Sequence, residues 1–248
     1  MIGTDAEIRK LSNAIAEMGG VAEANLSRAL DALSRRDAAL AAEVILDDKR
    51  LDRMEKQVDE QAVRILMMRQ PMARDLRAVI SGLKIASTLE RVGDMAKNTA
   101  KRAQILAEGP AHRSIGPVVR MGRQSLQQLT QALDAYANGD LELARQVWRR
   151  DVEVDELYNS VFRELLTYMM EDPRTIGACA QLMFVAKNIE RIGDHATFIA
   201  EMTSYVVSAE APPPADERPK APLEAGFDEP EDSAPASGAA PSVGSNAG

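Results

Sequence analysis

Glu90-Arg91-Val92-Gly93-Asp94 returns one hundred residues later as Glu190-Arg191-Ile192-Gly193-Asp194. Each copy sets two carboxylates at i and i+4, one turn apart on one face of a helix. In the first copy Leu76, Val79 and Leu83 form an apolar stripe. At 100° per residue, Glu90 and Asp94 fall within about 20° of the line through Leu83. Ile176, Cys179 and Met183 lead to Glu190 and Asp194 in the same way. The spacing therefore puts both acidic pairs on a face that reads as core-facing, where unpaired carboxylates cost free energy. An isolated E-x-x-x-D is ordinarily a solvated acidic face. Here the repetition, the stripe and the Gly between the acids, which allows close approach of a neighbouring helix, favour a built site.

The composition fits a helical body. Aromatic residues make up 4% of the 248, while Ala, Leu, Met, Glu and Arg are plentiful. The net charge is −8, and from Ala211 onward seven acids face Arg218 and Lys220 alone. The remainder is almost neutral and has no basic run, which argues against a nucleic-acid binder. Cys179 is the single cysteine and lies on the apolar stripe, so it reads as core packing. No charged-then-apolar leader opens the chain, and no apolar run approaches the ~18 residues of a membrane span. A cytoplasmic protein is the expectation.

Read in order, Thr4 with Glu7 forms a capping-box pattern for a first helix. Its seam is Ile8, Leu11, Ile15, Met18, Ala22, Leu26, Ala29 and Leu33, stepping by three and four. Asp37 is a good N-cap for a second helix, with Leu40, Val44, Leu51, Val58, Ala62 and Ile65 on one face. Pro71 suits the first turn of a third helix. Gly109-Pro110 and Gly116-Pro117 mark a connection. The pattern then begins again: Met18-Gly19 matches Met121-Gly122, Ala29-Leu30-Asp31-Ala32 matches Ala132-Leu133-Asp134-Ala135, and Asp37 matches Asp140, all at an offset of 103. A period this long is a duplicated domain rather than a solenoid. The expected fold is all-α, a tandem of two three-helix bundles at 1–109 and 110–210. From 211 to 248, Pro, Ala, Gly, Ser and acids predict a disordered tail.

The second helix of each half carries another acidic pair, Asp48 with Asp52 and Asp151 with Asp155. Taken from Val44, Asp48 lies about 40° and Asp52 about 80° off the stripe, at its edge. An antiparallel turn near Gln70 brings Asp52 and Glu90 to similar heights. Each half then presents four carboxylates from two helices. Such groups cannot all stay ionised and unpaired. They can pair with a base, share protons or bind a cation, and Lys97 and Lys187 are within reach. An all-oxygen set suits hard cations such as Mg²⁺, Mn²⁺, Ca²⁺ or iron. Di-iron bundles use E-x-x-H, which is absent here. His112 reads as an incidental loop residue, and His195, about 100° off the carboxylate face, as a packing or surface residue.

Gln70-Pro71-Met72-Ala73-Arg74-Asp75-Leu76-Arg77, Leu83-Lys84-Ile85 and the two E-R-x-G-D copies resemble the PhoU family of phosphate-signalling accessory proteins. The resemblance covers about residues 5–209 and leaves out the tail. It implies two three-helix bundles whose acidic motifs can hold multinuclear metal clusters, iron or zinc, with manganese or magnesium also compatible with the oxygen donors. The implied ligands are Asp48, Asp52, Glu90 and Asp94, and Asp151, Asp155, Glu190 and Asp194. It also implies a non-enzymatic, negative regulator of the phosphate-starvation response and of high-affinity phosphate uptake. Such a regulator works in the cytoplasm, as a homodimer, with the ATPase subunit of a phosphate ABC transporter and a sensor histidine kinase. One departure stands out: Asn98 follows the first motif, but Phe198 holds the aligned place in the second, removing an amide oxygen from the implied metal site.

Two rival readings remain at the level of sequence. One is a carboxylate-bridged metalloenzyme, against which no nucleophile–base pair, phosphate-binding Gly loop or histidine-rich ligand set accompanies the acids. The other is a structural spacer with internal acid–base networks.

Overall fold

The computed structural model describes residues 2–209, with side chains from Asp5 onward. The tail expectation, 211–248, lies outside the described residues. The body is helical throughout, as expected: α1 (Ile2–Arg35), α2 (Ala38–Arg69), α3 (Arg74–Glu108), α4 (Ile115–Asn138), α5 (Leu141–Arg149), α6 (Asp151–Glu171) and α7 (Ile176–Ser208). A single 3₁₀ turn, Pro173–Thr175, precedes α7. Helices α1, α2 and α3 pack as one bundle; α4, the α5–α6 pair and α7 form the second.

The local signals act largely where the sequence puts them. Asp37 caps α2 by accepting from the Leu40 N–H at 2.9 Å. Asp140 caps α5 by accepting from the N–H groups of Glu142 and Leu143, both at 3.0 Å. The first-helix seam is buried from Leu11 to Leu33, with Ile8 half-buried at its start. Three details differ. Helix α1 already includes Thr4, so Thr4 is not its N-cap. Pro71 lies in the turn before α3, following Gln70 in the left-handed conformation (φ 47°) that ends α2. Gly116-Pro117 belongs to the first turn of α4, where the missing N–H has no helical partner to lose.

The middle helix of the second half is broken, unlike its counterpart α2. Arg150 separates α5 from α6. Its carbonyl accepts from the Glu153 N–H at 3.0 Å, a tight three-residue closure, and from Nε2 of buried Gln128 at 2.8 Å. At the equivalent places in the first half, Asn25 takes Arg28 at 2.7 Å, and Arg28 bonds Asp47 at 2.6 Å. There the shorter amide meets an arginine, and α2 runs through uninterrupted. The longer amide of Gln128 instead reaches main chain and satisfies the carbonyl that the break exposes.

The two bundles share a core along α1–α4 and α3–α7. A Cβ on Gly19 would lie 2.9 Å from Leu133, and one on Gly122 would lie 2.3 Å from Leu30. These are the same contact seen twice, since 19 and 30 map to 122 and 133. The duplicated halves therefore meet as a pseudo-two-fold pair, with α1 and α4 antiparallel.

Candidate functional site

The motif glycines set the site's geometry. A Cβ on Gly93 would stand 2.3 Å from Leu51 Cδ1 and 3.7 Å from Asp48 Oδ1. One on Gly193 would stand 3.4 Å from Val154 and 3.7 Å from Asp151 Oδ1. Each glycine lets the preceding helix lie against the motif helix, which brings Asp48 beside Gly93 and Asp151 beside Gly193. The face is not the one the stripe suggested. Leu76 is exposed and Leu83 only half-buried, while the buried line of α3 runs through Val79, Ala86, Leu89, Gly93 and Ala96. A long helix packed against α1, α2 and α7 is buried on several sides, so three apolar residues near its start do not mark its centre. Glu90 and Asp94 therefore flank the α2–α3 seam, half-buried, rather than facing the core.

In the first half the ammonium of Lys97 ties the helices together. It donates to Asp48 Oδ2 at 2.7 Å and makes a short contact with Asp94 Oδ1. Asp48 itself is 6% exposed, and Lys97 makes it a paired rather than an isolated buried charge. Partial burial raises the Glu90 carboxyl above the usual carboxylate range, and the charges of Asp94, Glu55, Asp52 and Asp48 raise it further. All four expected acids thus act on one another, and Glu55 joins them. Its place was legible in the i, i+4, i+7 spacing of Asp48, Asp52 and Glu55 on one helix.

The second half has a different balance. Lys187 sits 3.2 Å from Glu190. Burial nevertheless pushes the Glu190 carboxyl up to about 7; Asp194 and Asp155 add to the rise, and Lys187 opposes it. Asp151 is buried at the start of α6. Arg91 and Arg191 point into solvent. Asn98 is exposed, and Phe198 packs against the core.

His112 is more than an incidental loop residue. Its Nδ1 accepts from the Ser114 N–H at 3.2 Å, and its Nε2 lies 3.3 Å from the buried Cys179 Sγ. Its ring packs edge-on to Tyr168, at 5.6 Å between centroids. The loop between the halves is thereby pinned to α6 and α7. His195 is half-buried on α7.

The metal clusters implied by the resemblance find the right donor type here but not the right arrangement. Among the described residues, no three Asp, Glu, His or Cys side chains converge closely enough to hold a metal ion. In the first half the place between Asp48 and Asp94 belongs to the Lys97 ammonium. As arranged, no group of donors among the described residues converges on one metal position, and a single lysine set against Asp48, Asp52, Glu55, Glu90 and Asp94 leaves the first-half face net negative.

Two antiparallel three-helix repeats, joined along their first and last helices and carrying an acid–lysine seam on each, define a helical scaffold. The chain belongs to the PhoU family: the PhoU domain matches residues 15–103 and 118–203, one match in each bundle. It is 50% identical over 205 residues to the phosphate-specific transport system accessory protein PhoU homolog of Caulobacter vibrioides, covering 82% of this chain and 89% of the relative. The homolog of the same name from Rhizobium meliloti is 48% identical over 221 residues, covering 89% and 92%. The crystal structure of PhoU from Pseudomonas aeruginosa superposes with a TM-score of 0.81 at 41% identity, covering 83% of this chain and 99% of that one. The phosphate transport system regulatory protein PhoU from Streptococcus pneumoniae gives 0.77 at 26% identity, covering 84% and 98%. The relatives are named as accessory or regulatory proteins rather than as enzymes. Among the described residues, no helix is long and apolar enough to cross a membrane.

Proposed function

We propose that this protein is a non-enzymatic adaptor that restrains the phosphate-starvation response and high-affinity phosphate uptake. Its partners in this reading are the ATPase subunit of a phosphate ABC transporter and a sensor histidine kinase, met in the cytoplasm by a homodimer. The observation that carries the reading is similarity across both repeats to proteins named as phosphate transport accessories. The structure offers long helix faces and an acidic seam tied by lysines, a surface for binding rather than a constellation for turnover. Deleting the gene tests the reading. Expression of phosphate-scavenging genes in abundant phosphate is the expected result. Unchanged expression and unchanged uptake would sink it.

A further inference from the structure

The two bundle ends built by the duplicated turn differ in a way the repeat does not require. The first end is the α2–α3 turn, residues 64–77. Its apolar side chains stand in solvent: Met67, Met68 and Met72 are 76%, 72% and 80% exposed, and Leu76 is 40% exposed. Residues 64–77 carry Arg64, Arg69, Arg74 and the half-buried Arg77 against Asp75, a net charge of +3, and the Asp5 and Arg9 of α1 that lie beside Arg74 and Asp75 cancel one another. None of these four arginines makes an ion pair within the described residues, as is also true of Arg91 and Arg191. The turn is fixed by Gln70 and Ala73 at positive φ, which projects Met72 outward at the end of the bundle.

The matching end of the second bundle, residues 166–179, carries Glu171 and Asp172 against Arg174, a net charge of −1. Its cations are also in use. Arg174 forks onto Asp172 at 2.9 Å, and Arg113 pairs with Glu171 at 3.5 Å while lying over Tyr168. The antiparallel join of α1 and α4 puts the two ends on opposite sides of the molecule. The second end also exposes Met170 and Ile176, so what sets the first end apart is three exposed methionines together with a net positive charge that no ion pair takes up.

From this we propose that the α2–α3 end of the first bundle docks on an anionic phospholipid surface. This end sets its exposed methionines outside the cavity that Arg74 and Asp75 line with the start of α1. What it offers is apolar side chains that can enter the headgroup–acyl boundary, ringed by guanidinium groups at headgroup level. Clusters of four or more basic residues beside apolar anchors are the sequence mark of attraction to anionic lipid. The chain as a whole carries −8, so attraction to such a surface has to be local to this end. The proposal goes beyond the adaptor reading and stands or falls separately, because its test involves neither phosphate nor partner proteins.

The test uses the full chain and sedimentation with vesicles of phosphatidylcholine alone or mixed three to one with phosphatidylglycerol. Binding is expected only to the mixed vesicles, and it should fade as salt shortens the screening length. Arg69→Glu with Arg74→Glu should lower the bound fraction by about tenfold or more. Met67→Ser, Met68→Ser and Met72→Ser together should also weaken it, whereas Met170→Ser at the other end should leave it unchanged. These positions are exposed, and a thermal melt confirms that each variant folds. The proposal is overturned if mixed vesicles do not bind, or if neither set of variants changes binding. It is also overturned if the variants alter only the oligomeric state, which would make this end a contact between copies. Capture by native membrane vesicles that disappears after protease shaving, with no capture by pure lipid, would assign the end to a protein partner instead.

Discussion

At the residue scale, the surroundings of Glu190 work against its charge. Its carboxyl titrates at about 7 in the folded chain against an ordinary value of about 4.3. The native state therefore binds more protons than the unfolded state between those values. Stability contributed by the neutral form is complete below the unfolded value and is lost as pH rises through the folded one. The loss is of the order of 3 kcal/mol between about pH 4 and 8. Glu190→Gln should flatten that slope and make the protein more stable at pH 8, read by urea unfolding at both ends of the range. A slope unchanged by the substitution would place the titration elsewhere. Lys97 gives the second residue-scale prediction. Bonds to Asp48 and Asp94 hold its ammonium well above the usual lysine range, so it stays charged and competes with any metal ion. Lys97→Met removes the competitor and leaves Asp48, Asp52, Glu90 and Asp94 without a counter-ion. The variant should melt lower than wild type without metal and gain more from added Mn²⁺. A binder at about 100 times its dissociation constant adds ~2.7 kcal/mol, enough to see in a melt. Equal Mn²⁺ shifts in the two proteins would refute the competition.

At the scale of elements, the contrast between α2 and the α5–α6 pair is the useful one. Both sit in the same place in their bundles, yet the first is one helix of 32 residues and the second is interrupted after nine. A helix of nine residues has few internal hydrogen bonds to lose, and it depends on its cap and its packing. Asp140→Ala removes the cap and should cost about 1 kcal/mol. Amide exchange along α5 should accelerate more than it does along α2 in Asp37→Ala, because the short helix has no long continuation to hold it. Equal protection in the two variants would show that the break carries no energetic weight. This break also marks the limit of what the sequence made legible. Asp37, Asp140, the seam of α1 and the acids on α2 and α6 were all readable, because caps and periodicity are local properties. The interruption at Arg150 was not, because no Gly or Pro marks it and the Gln128 amide that meets its carbonyl comes from 22 residues away. The acidic face was misplaced for the same kind of reason. An apolar stripe locates the core only for a helix buried on one side, and α3 is enclosed by α1, α2 and α7. The lysine reach was legible from its spacing, but that Lys97 would occupy the place between Asp48 and Asp94 needed the two helices in position.

For the whole molecule, the duplication raises the question of whether each half is a folding unit. The repeat boundary at about residue 110 falls in an exposed loop, which by itself would allow the halves to separate. The packing argues otherwise. Leu30 lies where a side chain on Gly122 would go, and Leu133 lies where one on Gly19 would go. Gln181 of α7 accepts from Arg102 of α3 at 2.8 Å, and Phe184 of α7 lies under the same guanidinium. Leu11, Ile15 and Gly82, by contrast, pack within the first bundle. Cutting the chain would therefore leave the first bundle's own centre in place while stripping one side of α1 and of α3. Apolar surface exposed in this way is unfavourable at roughly 25 cal/mol per Å², and a small bundle has little stability to spare. The fragment 1–109 should keep most of its helicity but lose a sharp melt and bind a hydrophobic dye, the marks of a state with helices but without fixed packing. The intact chain should unfold in a single transition. Gly122→Leu, which forces a side chain into Leu30, should move the intact chain toward two separate transitions rather than only lowering one. If 1–109 instead melts cooperatively without binding the dye, the halves are independent domains, and the seam between them is free to move when a partner binds.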